Sequence, residues 1–273
     1  MSEDESCCVP DFNRGCCRPS SGTNVEETVK EAYGQLWASQ KADSPAQPKR
    51  LASMPSAHEM LLKELMPQKG MKILDIGSGS GETVLIIAEK VGPTGKAVGV
   101  DFSSEGIALA GEKARVRNLE NIAEFHQANA LELPFPDGSF DAVISECVVC
   151  LIQDKYRALK EKVRVLKPGG RVIMHDVITW APMPQTMRED QKLYCGCVGG
   201  AVSLDEYIEM MKKAGLTDIK TVDFTEDVKK MMNVGIVAQA LNLKDEKAVS
   251  EIVNFVRKGG IGYALLVGNK KQA

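Results

Sequence analysis

The chain has 273 residues, of which 44% are hydrophobic and 26% charged, so it can bury a large core in one domain, alone or with a smaller companion. Its net charge of −3 provides no positive excess for binding nucleic acid or an anionic membrane. The acidic stretch Met1–Glu5 lacks the apolar segment of a signal peptide, and no apolar run reaches the ~20 residues of a membrane span, so we expect a cytosolic protein.

The eight cysteines fall in four close pairs. They are Cys7-Cys8, Cys16-Cys17, Cys147 with Cys150, and Cys195 with Cys197. Structural disulfides are rare in a reducing compartment, so this pairing points to soft-ion ligands or redox thiols. Buried cysteine used as a small hydrophobe is the alternative for the later pairs. The first 24 residues show no apolar periodicity, which predicts a mobile tail whose thiols bind a soft ion, exchange disulfides or have no function.

The first elements surround a glycine-rich turn. Helical spacing predicts a helix from Asn24 to about Ser39, and a shorter helix opens at residue 55 or 56 and runs through Leu65. An apolar run of strand type ends at Asp75, and the glycine turn 77–81 leads into a helix over 82–91. Glycine lets the backbone approach a ligand closely, and a helix N-terminus offers free N–H groups, so this unit predicts a nucleotide-type pocket.

The glycine spacing separates two classes of nucleotide. The dinucleotide fingerprint G-x-G-x-x-G requires a third glycine at position 82, where the chain has Glu82. Asp75 beside the turn would repel a pyrophosphate but attract an ammonium group. The turn therefore favours an amino-acid-bearing nucleoside, S-adenosylmethionine, over NAD. A glycine-rich turn without a ligand is the alternative.

Strands and helices then alternate as in a parallel sheet with helices on both faces. Strands are predicted over 96–101, 122–127, 140–145 and 171–177, with helices over 104–117 and 155–166. Asp101 lies twenty residues past Gly81, the distance of a carboxylate that receives ribose hydroxyls, although a helix cap is the alternative. Asn129 at the third strand tip is placed to hydrogen-bond an adenine edge.

The last third is less regular. Ser203 and Glu206 form a capping-box pattern that opens a helix ending at Gly215. A strand over 219–224, helices around 226–241 and 244–258, and a closing strand over 262–268 follow. His175 and Asp176 are expected to end the fifth strand at the rim of a site, as acceptor-pocket residues or as a capped strand end. None of the three histidines is in an obvious catalytic pairing with an acid.

Together these segments resemble class I S-adenosylmethionine-dependent methyltransferases. The residues that carry the resemblance are Asp75 to Gly81, Asp101, Asn129-Ala130, Phe140-Asp141 and Leu166-Lys167-Pro168-Gly169-Gly170. The fold implied is α/β, with a Rossmann-like, doubly wound, mostly parallel sheet and a small C-terminal α+β extension. We predict a cysteine-rich tail over 1–24, a cofactor-binding domain over 25–205, and a segment over 206–273 that completes or caps the sheet.

The cysteines narrow the resemblance to arsenite S-adenosylmethionine methyltransferases. Cys147 follows the fourth strand, Cys197 precedes Gly-Gly-Ala, and Tyr33-Gly34 is similar to that family's opening segment, in which a tyrosine lies over the cofactor. The resemblance implies that Cys147 and Cys197 hold arsenic as the catalytic thiolates. The family's further cysteine is absent from the loop over 40–60, so Cys150, Cys195, a tail cysteine or an external thiol is expected to complete the site.

The predicted cofactor-binding residues come from the glycine turn, the strand tips and the Tyr-Gly helix. They are Tyr33, Asp75, Gly77, Ser78, Gly79, Gly81, Asp101, Phe102, Asn129, Ala130 and Glu146. The sulfonium methyl group is already activated, so arsenic needs no general base, and positioning would lower the barrier. Cys7, Cys8, Cys16 and Cys17 are candidates for redox or delivery work, with an external thiol such as glutathione or thioredoxin as reductant.

Two other functions remain open at this point. One is methyl transfer to a small organic acceptor, and the other is a thiol protein that binds a soft metal without catalysis. In each case the expected partner is a small molecule, neither nucleic acid nor membrane, and we expect a monomer.

Overall fold

A computed structural model of the chain describes residues 25–42, 55–231 and 246–272. The predicted tail with Cys7, Cys8, Cys16 and Cys17 lies outside these ranges, as does the second half of the helix predicted over 226–241. Within the described ranges, no helix combines the length and the apolar character needed to cross a bilayer.

The strands are β1 (Lys72–Ile76), β2 (Lys96–Asp101), β3 (Ala123–Gln127), β4 (Phe140–Glu146), β5 (Leu166–Thr179), β6 (Val202–Ser203), β7 (Leu216–Asp223) and β8 (Ile261–Lys270). The helices are α1 (Val25–Ala38), α2 (Pro55–Leu65), α3 (Glu82–Val91), α4 (Ser104–Val116), α5 (Lys155–Val165), α6 (Gln185–Glu189), α7 (Gln191–Cys195), α8 (Leu204–Lys213), α9 (Thr225–Met231) and α10 (Glu246–Arg257).

The strands form one sheet in the order β3-β2-β1-β4-β5-β8-β7, with β6 paired to β5. Strands β1 to β5 are parallel, whereas β8 runs antiparallel to both β5 and β7. The predicted doubly wound, mostly parallel sheet is therefore confirmed. The division of the chain near residue 205 remains a prediction.

Neighbouring residues of β1 face opposite sides of the sheet. Ile73 packs in one apolar layer with Leu85 of α3, and Leu74 packs in the other with Leu159 of α5. Because helices cover both faces, residues 73 to 76 of β1 are all buried, and the strand does not alternate between buried and exposed residues. The strand order reverses at β1, so the crevice for a ligand opens at the carboxyl ends of β1 and β4.

The end of β5 differs from the prediction. β5 was expected to end near Val177, but it runs to Thr179 because each residue from 171 to 179 pairs with β8. His175 and Asp176 are therefore interior strand residues with no exposed surface, and the expectation that they end the strand at a rim was wrong.

The predicted capping box at the start of α8 is confirmed. The Ser203 side chain accepts a hydrogen bond from the Glu206 amide, and the Glu206 side chain accepts one from the Ser203 amide.

Candidate active site

The glycine turn after β1 fits only glycine at three positions. Gly77, Gly79 and Gly81 have φ angles of 74°, 53° and 80°, in the left-handed region that costs other residues free energy. A Cβ atom on Gly79 would lie 2.5 Å from the Trp37 ring, and one on Gly77 would lie 2.3 Å from Val148. The turn is therefore a close-packed cradle between α1 and the segment that follows β4.

Backbone amides of this turn are tied to the tip of β2. The amides of Gly77 and Ser78 both donate to the Val100 carbonyl, at 2.7 and 3.0 Å. The Asp101 carboxylate accepts from the Gly79 amide at 2.8 Å and from the Ser103 amide at 2.9 Å. Asp101 thus lies directly beside the glycine turn, as its predicted role as a ribose-binding carboxylate requires.

The cradle contains polar atoms suited to a polar ligand. Asp75 is buried beneath the turn. Among the described residues, the Ser78 hydroxyl and the Trp37 indole N–H are buried without a hydrogen-bond partner. Buried polar atoms are normally paired, so these two groups and the glycine cradle fit a nucleoside cofactor.

The other predicted cofactor residues lie along the same edge. The side-chain oxygen of Asn129 accepts a hydrogen bond from the Leu131 amide at 2.9 Å, and Ala130 between them is half-buried. The Phe102 carbonyl accepts from Gln127, and the Lys30 ammonium lies 5.2 Å from the centre of the Phe102 ring. These contacts place Phe102 and Asn129 just past the carboxyl ends of β2 and β3, on the edge of the sheet where the glycine turn follows β1.

Three cysteine thiols meet next to the cradle. Cys147 follows β4, Cys150 lies in the short 3₁₀ turn Val149–Leu151, and Cys197 follows α7. Their sulfur atoms lie within 4.8 Å of one another, and Cys147 and Cys150 are 3.9 Å apart. No side chain of the three is more than 3% exposed. Val148, which touches Gly77, directly connects this thiol cluster (Cys147, Cys150 and Cys197) to the glycine turn.

Two of the thiols are carried by strained backbone. Cys147 has a φ angle of 54° and Cys197 one of 71°, where residues with a Cβ atom are uncommon. The Cys147 amide donates to the His175 carbonyl at 2.8 Å, and the Cys197 amide donates to the Tyr194 carbonyl at 3.0 Å. Such strain persists only where surrounding contacts enforce it, and it is concentrated at functional sites.

Two thiols of the cluster, Cys147 and Cys150, hold their protons at neutral pH. Burial, followed by hydrogen bonds with the other two thiols, raises the pKa of Cys150 well above its ordinary value. A hydrogen bond with Cys150 acts to lower the pKa of Cys147, but a hydrogen bond with Cys197 and burial outweigh it, so that pKa is also raised. These thiols are therefore neutral before they meet a ligand.

Charged groups are buried beneath the cluster. Burial raises the pKa of Asp176 to about 6 and lowers that of Lys162 to about 8. Lys162 donates to the Ser145 hydroxyl at the end of β4. Near neutral pH both groups are mainly charged, so each partly offsets the burial cost of the other.

Glu146, expected as a cofactor residue, is the centre of a hydrogen-bond network. Its carboxylate accepts from the Thr83 hydroxyl at the start of α3 and lies 2.8 Å from Nδ1 of His58 and 3.0 Å from Nε2 of His175. The other nitrogen of His175 is hydrogen-bonded to the Tyr263 hydroxyl. The expectation that no histidine pairs with an acid was wrong, because residues far apart in the chain meet here.

Tyr33 lies over the thiols. Its hydroxyl donates to the Cys195 carbonyl at 3.2 Å and lies 3.8 Å from the sulfur of Cys197. Trp37, one turn further along α1, is the aromatic residue that covers Gly79. Cys195 is half-buried, and its thiol is not one of the three that converge.

Some of the short elements that carry the site residues could not be predicted from the sequence. The short helices α6 and α7, and the 3₁₀ turn that carries Cys150, were not predicted. The Cys-x-x-Cys spacing of Cys147 and Cys150 was the one available signal that these two thiols converge.

Comparison with known proteins gives a family and several relatives. A family described as "Methyltransferase domain" matches residues 67–215. An arsenite methyltransferase of Halobacterium salinarum is 39% identical over 55% of this chain and 38% of its own length. One of Aquipseudomonas alcaligenes is 29% identical over 73% of this chain and 64% of its own. The chain thus spans less than two thirds of either relative.

A solved structure is similar in fold. It is an arsenic(III) S-adenosylmethionine methyltransferase from Chlamydomonas reinhardtii, with a TM-score of 0.58 and 24% identity over 84% of this chain and 75% of that one.

Proposed function

We propose, from the premise that this chain belongs to the family of methyltransferase domains, that it transfers a methyl group from S-adenosylmethionine to trivalent arsenic. The observation that carries the proposal is the convergence of three buried thiols within 4.8 Å, directly beside the glycine cradle. Trivalent arsenic forms three bonds and prefers soft sulfur ligands, so the thiol cluster matches its valence. The two arsenite methyltransferase relatives support the same substrate.

The cradle would hold the methyl donor. When bound, S-adenosylmethionine supplies a methyl group on a positively charged sulfur. Asp75 offers a carboxylate to its ammonium group, and Asp101 offers one to its ribose hydroxyls. Glycine at 77, 79 and 81 lets neighbouring side chains such as Trp37 and Val148 pack directly against the turn, where a Cβ atom would collide with them. The other predicted cofactor residues, including Tyr33 and Glu146, stay proposals for this pocket.

The thiol cluster would bind arsenite by ligand exchange. Cys147, Cys150 and Cys197 each exchange for one hydroxide of arsenite, so three As–S bonds replace three As–O bonds, and each thiol proton leaves with a departing hydroxide as one of three waters. No external base is required. The arsenic keeps its lone pair, and the protein's contribution is to fix that lone pair towards the methyl group. Such positioning can supply about 7–11 kcal/mol of the barrier.

The methylated arsenic must then be reduced. Bond formation to the methyl group uses the lone pair and raises arsenic formally to the pentavalent state. Two thiols that become a disulfide return the two electrons. We assign this step to an external thiol such as glutathione or thioredoxin, with the tail cysteines as candidates for relay or delivery. A cytosolic location would keep these thiols reduced.

Product analysis tests the proposal. The protein is incubated with arsenite, S-adenosylmethionine and glutathione, and both arsenic species and S-adenosylhomocysteine are quantified. We expect methylarsenicals to form with matching amounts of S-adenosylhomocysteine. Cys147→Ser or Cys197→Ser should lower the rate about 100-fold or more, because misplaced or missing contacts are this costly, while the cofactor affinity stays unchanged.

Two results would replace the proposal with another function. Full turnover of arsenite by both cysteine variants, or turnover only with a small organic acceptor, would leave a methyltransferase of different substrate. Stoichiometric arsenite binding without any methyl transfer would leave a thiol protein that binds a soft ion.

A further inference from the structure

The turn that carries Cys150 is held at both ends by buried charges. At its start, the Asp176 carboxylate accepts from the Val149 amide at 2.9 Å and from the Cys150 amide at 3.3 Å. At its end, the Lys155 ammonium donates to the Ile152 carbonyl at 2.6 Å and to the Cys150 carbonyl at 3.4 Å. A helix of three residues leaves most of its amides and carbonyls unpaired, so these contacts supply what the turn lacks.

Both charged groups are withdrawn from solvent. Asp176 is fully buried and Lys155 is 8% exposed. Hydrogen bonds to ionised groups are about twice as strong as neutral ones, and burial protects them from screening. The other two thiols are held differently. The Cys147 amide bonds the neighbouring strand β5, and the Cys197 amide bonds the end of α7.

We infer that Asp176 and Lys155 are positioning residues that place the Cys150 thiol as the third sulfur ligand of arsenic. They decide whether the site accepts an arsenical with three exchangeable ligands. This inference rests on the proposed function.

The substrate consequence follows from valence. Arsenite has three hydroxide groups to exchange, so it uses all three thiols of the cluster. Monomethylarsonous acid has one As–C bond and two hydroxides, so Cys147 and Cys197 satisfy it. Misplacing Cys150 should therefore impair the first methylation much more than the second.

X-ray absorption spectroscopy of bound arsenite counts its sulfur ligands directly. The full-length parent carries Cys7, Cys8, Cys16, Cys17 and Cys195 as serine, so that every As–S bond comes from the thiol cluster. Asp176→Asn keeps the size of the side chain but turns an NH₂ group towards one of the two amides. Lys155→Met keeps the length of the side chain and removes the charge.

We expect three As–S bonds in the parent, and two with one As–O bond in each variant. The rate with arsenite should fall about tenfold or more, while the rate with monomethylarsonous acid changes less than about threefold. The matched control is Asp141→Asn. This carboxylate also accepts a backbone amide, that of Lys72 at 2.7 Å, and it pairs with Lys167, but it lies near the opposite end of β4.

The possible outcomes distinguish the positioning role of Asp176 and Lys155 from the proposed function. Three As–S bonds and an unchanged rate ratio in both variants would overturn the positioning role. If the natural chain, with all eight cysteines, binds no arsenite or transfers no methyl group, the proposed function is instead overturned. If Asp176→Asn loses its native melting transition, Lys155→Met alone decides.

Discussion

A Cβ atom on Gly200 would lie 1.9 Å from the carbonyl oxygen of Cys150, so the segment that carries Cys197 crosses directly over the turn that carries Cys150. Gly199 is confined within its own segment, since its Cβ atom would lie 2.9 Å from the Cα atom of Tyr194 in α7. Glycine at 199 and 200 therefore has a steric reason at each position. Gly200 lets the two thiol-bearing segments approach closely enough for their sulfur atoms to converge.

Gly200→Ala should separate these segments by about 1 Å, a displacement that can cost about 100-fold in rate. We expect kcat/KM for arsenite to fall by about that factor while calorimetry gives an unchanged affinity for S-adenosylmethionine. Gly111→Ala is the control, because a Cβ atom there meets nothing within 4 Å and the site lies inside α4. It should stabilise the protein by about 0.5–1 kcal/mol. Unchanged arsenite turnover in Gly200→Ala would refute the steric account.

Gly79→Ala should weaken cofactor binding about tenfold or more, because the methyl group would enter the cradle 2.5 Å from the Trp37 ring. Gly138→Ala is the matched control. Gly138 also has a positive φ angle, of 65°, but its Cβ atom would come no closer than 4.0 Å to another group. Both variants should lose about 1–2 kcal/mol through backbone strain. Isothermal calorimetry with S-adenosylmethionine distinguishes them, and equal affinities would contradict the cradle.

The region around the glycine turn could be predicted from sequence because its determinants are local. The bounds predicted for the helix over 82–91 and the strand over 96–101 agree with α3 and β2. Apolar periodicity and a turn that only glycine can adopt fix such units within a few residues. The mostly parallel sheet with helices on both faces followed from the same β-α alternation and the resemblance.

The thiol cluster could be predicted only in part. The positions of Cys147 and Cys197 marked two thiols through the resemblance, but choosing the third required tertiary contacts. Cys150 joins them because Asp176, 26 residues away in the chain, caps its turn. Glu146 and His175 meet across 29 residues for a similar reason. Pairings at these separations leave no periodicity in the sequence.

Two fully buried tyrosines should respond differently to loss of the hydroxyl. Tyr263 is hydrogen-bonded to His175, so Tyr263→Phe leaves a buried nitrogen unpaired and should cost about 1–3 kcal/mol. The hydroxyl of Tyr207 has no partner among the described residues, so Tyr207→Phe should be neutral or stabilising. Urea titration gives both free energies of unfolding. Equal losses would mean that the contact between Tyr263 and His175 adds no stability.

The raised pKa values of Cys147 and Cys150 should make the protein less stable at alkaline pH. Hydrogen bonding within the cluster and burial keep these thiols protonated in the folded state, whereas unfolded cysteine ionises near pH 9.0. Their stabilisation is complete below pH 9.0 and is lost as pH rises towards the folded-state pKa, by at most about 1.4 kcal/mol per pH unit for each thiol. Urea titrations from pH 7 to 10, with reductant present, should therefore give a shallower decline for Cys147→Ser/Cys150→Ser than for the parent. Lys162, whose pKa is lowered to about 8, makes the folded state more stable as the pH rises. Because this lysine is present in both proteins, its contribution to the pH dependence cancels in the comparison. Identical slopes would show that these thiols ionise alike in the folded and unfolded states.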